Sequence, residues 1–131
     1  MKRSKPSMPR PTQAELEILA VLWERGPSSV REVHDELRAR RETGYTTVLK
    51  TLQIMTEKGL VARDESQRSH IYSARAPQRE TQRQLLDDLL ERAFSGSSSA
   101  LVMQALATRR ASPEELDAIR RLLDEIEGGR R

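Results

Sequence analysis

The stretch Thr43 to Val61, TGYTTVLKTLQIMTEKGLV, sets Thr46, Thr47, Lys50 and Gln53 on one side of a helical pattern whose other side carries Val48, Leu49, Leu52 and Met55. Hydroxyl, ammonium and carboxamide groups at that spacing can hydrogen-bond phosphate oxygens and base edges, and a threonine methyl can lie against the methyl of thymine. Threonine is a mediocre helix former, because its branched Cβ restricts χ1. A face that met only water would be better built from Glu, Lys and Arg. Either these short side chains let the helix come close to a groove, or one threonine caps the helix and the others are neutral surface.

Other groups could join such a surface. Tyr45 and Tyr72 each offer a hydroxyl to a phosphate or a ring to the core, and Arg68, in a polar turn, suits a phosphate backbone or an adjacent minor groove. Ser28, Ser29 and Arg31 stand at the start of another helix, where a capping serine, free N–H groups and the helix dipole favour an anion. Catalysis has no comparable set. His34 and His70 are the only histidines and lack ligand spacing, which points to structural or surface roles and to no metal. The serines at 95 and 97–99 form no nucleophile elbow, and the acidic pairs Asp87-Asp88 and Glu114-Glu115 fall on outer or capping positions. No enzyme activity and no cofactor are expected.

The elements that position these groups announce themselves locally. Thr12 with Glu15 is a capping box opening a first helix with Leu16, Leu19, Ala20 and Trp23 at helical spacing, and Arg25-Gly26-Pro27 stops it. A second box, Ser29 with Glu32, opens a helix that turns Val30, Val33 and Leu37 inward. The third helix is the opening stretch, closed at Gly59 by a left-handed cap. The period then switches to alternation: LVARDE and SHIYSA predict a β-hairpin with a basic tip. Three helices followed by a hairpin is the order of a winged helix-turn-helix, whose third helix is presented to the DNA major groove.

Pro77 marks a break, beyond which all is helical. One stripe carries Leu85, Leu86, Leu89, Leu90 and Phe94, SALVMQALA gives a shorter one after SGSSS, and a last helix is capped by Ser112, Pro113 and Glu115. In that last helix Leu116, Ile119, Leu123 and Ile126 recur in steps of three, four and three, the spacing of helix-to-helix packing. Three such helices without a sheet bury their stripes poorly alone, so a homodimer built on Leu86, Leu89, Leu90, Phe94, Leu116, Ile119, Leu123 and Ile126 is expected. The fold expected is mainly α with a small β-hairpin wing. Residues 1–10 are expected to form a basic flexible tail, 11–76 a winged-helix DNA-binding domain and 77–131 a helical dimerisation domain.

Composition sets the outer limits. The 131 residues, 33% charged and 3% aromatic, suffice for one ordinary domain or two small ones with a modest aliphatic core, which argues against a large enzyme with a deep cleft. The net charge of +3 is unevenly placed: residues 1–76 hold four lysines and ten arginines against ten acids, hence +4, and residues 77–131 hold nine arginines against ten acids, hence −1. Within the basic half, Arg38, Arg40, Arg41, Lys50, Lys58, Arg63 and Arg68 gather around the opening stretch, predicting a local positive patch. Without cysteine there are no disulfides and no thiolate sites. The longest apolar run, ILAVLW, is far short of the roughly 18 residues a span needs, and MKRSKPSMPRP lacks the apolar segment of a signal peptide. A cytoplasmic protein with no membrane insertion is expected.

The segments TQAELEILAVLWERGPSSVREVHDEL and YTTVLKTLQIMTEKGLV, the hairpin ending HIYSA and the acidic helical tail together resemble the penicillinase and methicillin-resistance repressors, the BlaI/MecI/CopY family. The likeness covers about residues 9 to 127, and Tyr45 to Val61 is its most specific part. What it implies is a dimeric repressor with two winged helices in successive major grooves of a palindromic double-stranded operator. It also implies release through a membrane-bound metalloprotease sensor, by a cut in the middle helix of the C-terminal domain that maps onto Gln104-Ala105. Family members cut there carry Asn-Phe. The copper-responsive branch uses paired C-terminal cysteines, which this chain lacks. Two other readings of the same elements are a winged-helix module for docking proteins and a regulator that holds a small effector at its dimer interface.

Overall fold

The computed structural model describes residues 10–129, so the expected N-terminal tail lies outside the described residues except for Arg10. In chain order the elements are α1 (Gln13–Arg25), β1 (Ser28–Ser29), α2 (Val30–Arg38), α3 (Tyr45–Lys58), β2 (Val61–Asp64), β3 (Ile71–Ala74), α4 (Gln78–Phe94), α5 (Ser98–Thr108) and α6 (Pro113–Gly128). This is the mainly helical fold with a winged-helix N-terminal part that the periodicity predicts. Both expected capping boxes form: Thr12 and Ser29 each accept from the backbone three residues on, and Glu15 and Glu32 reach back to the cap N–H groups. The end of α3 is fixed as firmly. Gly59 adopts φ 86° and ψ 15°, its N–H reaches Thr56 O, and the Leu60 N–H reaches Met55 O at 2.9 Å. Leu60 and Met55 are both buried, completing the hydrophobic contact of this cap.

The wing is three-stranded, with order β1-β3-β2 and every pairing antiparallel. Sequence alternation found the hairpin but not β1, because two residues carry no period. Ser28 pairs with Tyr72 and Ser29 with Ile71. The expectation that Ser28 offers itself to an anion is therefore corrected: it is fully buried, and its hydroxyl donates to Gly26 O at 2.8 Å. Tyr72 takes the core alternative, 1% exposed at the centre of the sheet.

One core joins Ile18, Leu19, Val21 and Leu22 of α1 with Val30, Val33 and Leu37 of α2, Val48, Leu52 and Met55 of α3, and Leu60, Val61 and Tyr72. The buried face of α1 differs from the expected one, since Leu16, Ala20 and Trp23 are only half-buried. The reason is that α1 packs against α2, α3 and β3 together, so a broad arc is covered and periodicity alone cannot choose it. The Trp23 indole N–H donates to Ala76 O at 3.0 Å, tying α1 to the chain just after the wing.

Two compact units divide the chain, one ending at Leu86 and one starting at Asp87, so the division falls within α4. In the second unit the SGSSS stretch begins with a tight turn: Ser95 and Gly96 have φ of 50° and 80°, and Ser97 caps α5. None of the described residues from 87 to 129 is buried.

A long-range ion pair braces the first unit. Glu15, 3% exposed, accepts from Lys58 Nζ at 3.0 and 2.8 Å while also closing the α1 capping box. Burial pushes the Glu15 carboxyl up, but hydrogen bonds from Lys58 and from the Thr12 backbone, with the Lys58 charge, hold it below its ordinary value. A depressed folded-state pKa contributes stability above the unfolded value, lost as pH falls through the folded one. Glu15→Gln is accordingly expected to lower stability at pH 7 by about 2 kcal/mol, with the gap from the parent closing as pH drops from about 4.5. Urea unfolding at several pH values checks this; a pH-independent gap would disprove the linkage.

Candidate nucleic-acid interface

Burial of Val48, Leu52 and Met55, each at most 2% exposed, fixes the rotation of α3 about its axis. Thr46, Thr47, Lys50 and Gln53 emerge on its open side, as expected, together with Tyr45, Ile54 and Glu57. The capping explanation for the threonines does not hold. The N-cap is Gly44, with no side-chain cap hydrogen bond. Thr51 and Thr56 return their hydroxyls to the carbonyls of Thr47 and Leu52 at 2.8 Å, whereas the Thr46 and Thr47 hydroxyls make no hydrogen bond among the described residues. The hydroxyls at the start of the helix are thus open to a ligand.

A stack of rings and a cation holds the helix start in place. The Arg31 guanidinium lies 5.5 Å from the centre of the Tyr45 ring, and Tyr45 meets His34 edge to face at 6.0 Å. Such contacts contribute about 0.5–1 kcal/mol each and restrict the ring more than they stabilise the fold. His34, buried in α2, reaches Thr43 O with Nε2 at 3.2 Å and Asp35 Oδ1 with Nδ1 at 3.1 Å. Both partners are acceptors, so a neutral ring with one N–H satisfies one of them and an imidazolium satisfies both. The turn into α3 is therefore carried by a side chain from α2.

The expected positive patch is smaller than the number of nearby cations suggests. Arg40 pairs with Glu24 at 3.4 Å and Arg41 with Glu17 at 2.9 Å, both turned back onto α1, and Lys58 is spent on Glu15. Arg63 bonds Glu65 at 2.6 Å; the Tyr72 hydroxyl and then the Glu65 charge push its pKa further up. Arg31, Arg38, Lys50 and Arg68 stay exposed with no ion-pair partner among the described residues. Their placement is orderly. Arg31, Tyr45, Arg68 and His70 line a groove between α2, the start of α3 and the wing, and Arg38 and Thr47 line a second cleft beside it. Ser29, half-buried, borders the first groove while its hydroxyl is engaged by Glu32 N–H at 3.2 Å. At the wing, Asp64 Oδ1 accepts from Ser66 N–H at 2.9 Å, and the Ser66 backbone and side chain hold the Asp64 carboxyl below its ordinary range.

Sequence reading missed three features. Arg38 is separated from Arg40 and Arg41, which only a fold can show; Ile54 is exposed, which its apolar type concealed; and Gly44 was legible as a weak cap in the Thr-Gly-Tyr order. No group of three or more His, Cys, Asp or Glu side chains suited to a metal occurs among the described residues. The arrangement is a convex helix edge rich in short polar groups, flanked by cations on α2 and the wing. It can dock on a polyanion and present hydrogen-bonding groups to what lies between two phosphate rows.

Residues 11–125 match the family of the penicillinase repressor. The chain is 38% identical over 117 residues to the transcriptional regulator BlaI of Mycobacterium tuberculosis, in two strains, covering 88% of this chain and 83% of that one. It is 23% identical over 118 residues to the penicillinase repressor of Bacillus licheniformis, covering 90% of this chain and 92% of the relative.

Gly44 allows a test that separates stability from binding. Its φ of −95° suits any residue and a Cβ there meets nothing within 4 Å. Gly44→Asp would cap α3 and reduce the freedom of the unfolded chain, for an expected gain of about 0.5–1 kcal/mol. The same carboxylate at the edge of the interface should weaken binding to nucleic acid. Urea unfolding and fluorescence anisotropy with labelled duplex, run in parallel, should move in opposite directions.

Proposed function

The chain belongs to the penicillinase repressor family, and from that membership we propose that it is a cytoplasmic transcriptional repressor that binds a palindromic DNA operator as a homodimer. The observation that carries this reading is the open face of α3, where Thr46, Thr47, Lys50 and Gln53 are exposed and neither threonine caps the helix. In the proposed complex α3 enters the major groove. Tyr45, Arg31, Ser29 and, from the wing, Arg68, which line one groove, stand together beside a phosphate row. Repression is by occupancy: a dimer across a promoter excludes polymerase, and the second head binds at the high effective concentration set by the first.

The second unit supports dimerisation, because alone it lacks a buried residue among those described. Leu86, Leu89, Leu123 and Ile126 are 48–58% exposed, and Leu90, Phe94, Leu116 and Ile119 only half-buried. A second copy would cover them. Release is proposed to follow cleavage at Gln104-Ala105, controlled by a membrane-bound metalloprotease sensor. Both residues are exposed on α5, a helix with no buried side chain, whose local opening costs little. Intact masses of the protein from induced and uninduced cells test this; an uncut chain in induced, derepressed cells refutes it.

Lys50→Ala and Thr47→Ala are expected to weaken operator binding by about 1–3 kcal/mol each while leaving thermal unfolding unchanged. Lys50→Ala should also flatten the log-log salt dependence by about 0.9 for each phosphate that the ammonium neutralises in the parent. Gel shifts with fragments selected from the source genome read both effects, and variants that bind like the parent would remove α3 from the interface. Leu123→Lys, at a side chain 58% exposed in the single chain, should yield a folded monomer by sedimentation with weakened operator binding. A dimer that survives this change would place the subunit contact elsewhere.

A further inference from the structure

Between residues 10 and 76 the fold leaves just two large apolar side chains exposed among those described, and both lie on α3: Tyr45 at 42% and Ile54 at 44%. Tyr45 is accounted for by the Arg31 and His34 stack. Ile54 has no such account. It follows Thr47 by seven residues and Lys50 by four, so the three stand in one row along the open side of the helix. One turn beyond, Glu57 puts a negative charge on the same side and ends the surface that can lie against phosphates.

We infer that Ile54 is a specificity-determining contact that reads the 5-methyl group of a thymine in the major groove, an assignment that rests on the operator-binding role proposed above. An aliphatic side chain cannot hydrogen-bond a base edge, but the thymine methyl is the one apolar group the major groove offers. Burying it against Ile54 discriminates A·T from its competitors, whereas the neighbouring Lys50 prefers guanine or a phosphate. The helix rise of 1.5 Å per residue puts Ile54 about 10 Å from Thr47 along the axis, or about three base steps at 3.4 Å each. The thymine it reads should lie about three pairs from the pair approached by Thr47.

The test uses the full chain and duplexes recovered by selection from random DNA, with each thymine replaced singly by deoxyuridine, which keeps the base-pair hydrogen bonds and removes the methyl. For the parent protein, one position per half-site should lose about fourfold in affinity, the equivalent of about 0.8 kcal/mol for one buried methyl-sized group. Ile54→Ala should bind the thymine and deoxyuridine forms of that position equally, and Ile54→Val should keep part of the difference. Effects of the methyl on DNA shape cancel, because each ratio compares two proteins on the same pair of duplexes. Thr47→Ala should not abolish the discrimination at that position. Selective binding in which parent and Ile54→Ala show the same deoxyuridine losses everywhere overturns the assignment and leaves the repressor reading intact. Failure to select any sequence with the parent overturns both. Because Ile54 lies outside the core, circular dichroism of both variants should match the parent.

Discussion

The seating of α3 is the constraint from which the rest follows. Val48, Leu52 and Met55 occupy one side of a helix and are nearly inaccessible, packed with α1, α2 and the base of the wing. Once these three are buried, the helix cannot roll, and its remaining side chains have no choice of direction. Fixing both ends adds to this: the Gly59 cap sets where α3 stops, and the Thr43 carbonyl held by His34 sets where it starts. The hydroxyls of Thr46 and Thr47 are presented because the opposite side of the same helix has somewhere better to be.

Charge works on a finer scale than composition suggests. Of eight cations on and around α3, four are neutralised by carboxylates, and two of these, Arg40 and Arg41, lash the loop after α2 to α1. Surface pairs of this kind contribute little free energy each. Their larger effect is subtraction, since they leave Arg31, Arg38, Lys50 and Arg68 as the exposed set, spread over α2, α3 and the wing. An interface with cations on several elements fixes orientation as well as attraction.

What was legible in the sequence was local. Both N-terminal capping boxes, the Ser112 box of α6, the Gly59 stop and the hairpin each need only a few neighbouring residues to declare themselves, and each formed. The polar outward residues of α3 were legible too, because its inward ones are so regularly spaced, whereas the apolar Ile54 was not. What escaped needed distant partners. Glu15 and Lys58 lie 43 residues apart, Arg40 and Glu24 16 apart, and β1 exists only because Tyr72 and Ile71 come alongside. The core side of α1 escaped for a related reason: a helix surrounded by three elements has no single wet side for a period to reveal. In the second unit the sequence supplied stripes without saying which neighbour covers them, and the single chain leaves those stripes largely uncovered.

The lone tryptophan gives the molecule an optical property of its own. Trp23 is half-buried with its indole N–H on the Ala76 carbonyl, at the step where the chain leaves the wing for α4, and on a helix that contributes nothing to the open side of α3. Its emission is therefore a native gauge of that junction, brightening or shifting when the junction loosens. A ligand held by the open side of α3 alone would leave the indole dark to the event unless strain were relayed as far as Ala76.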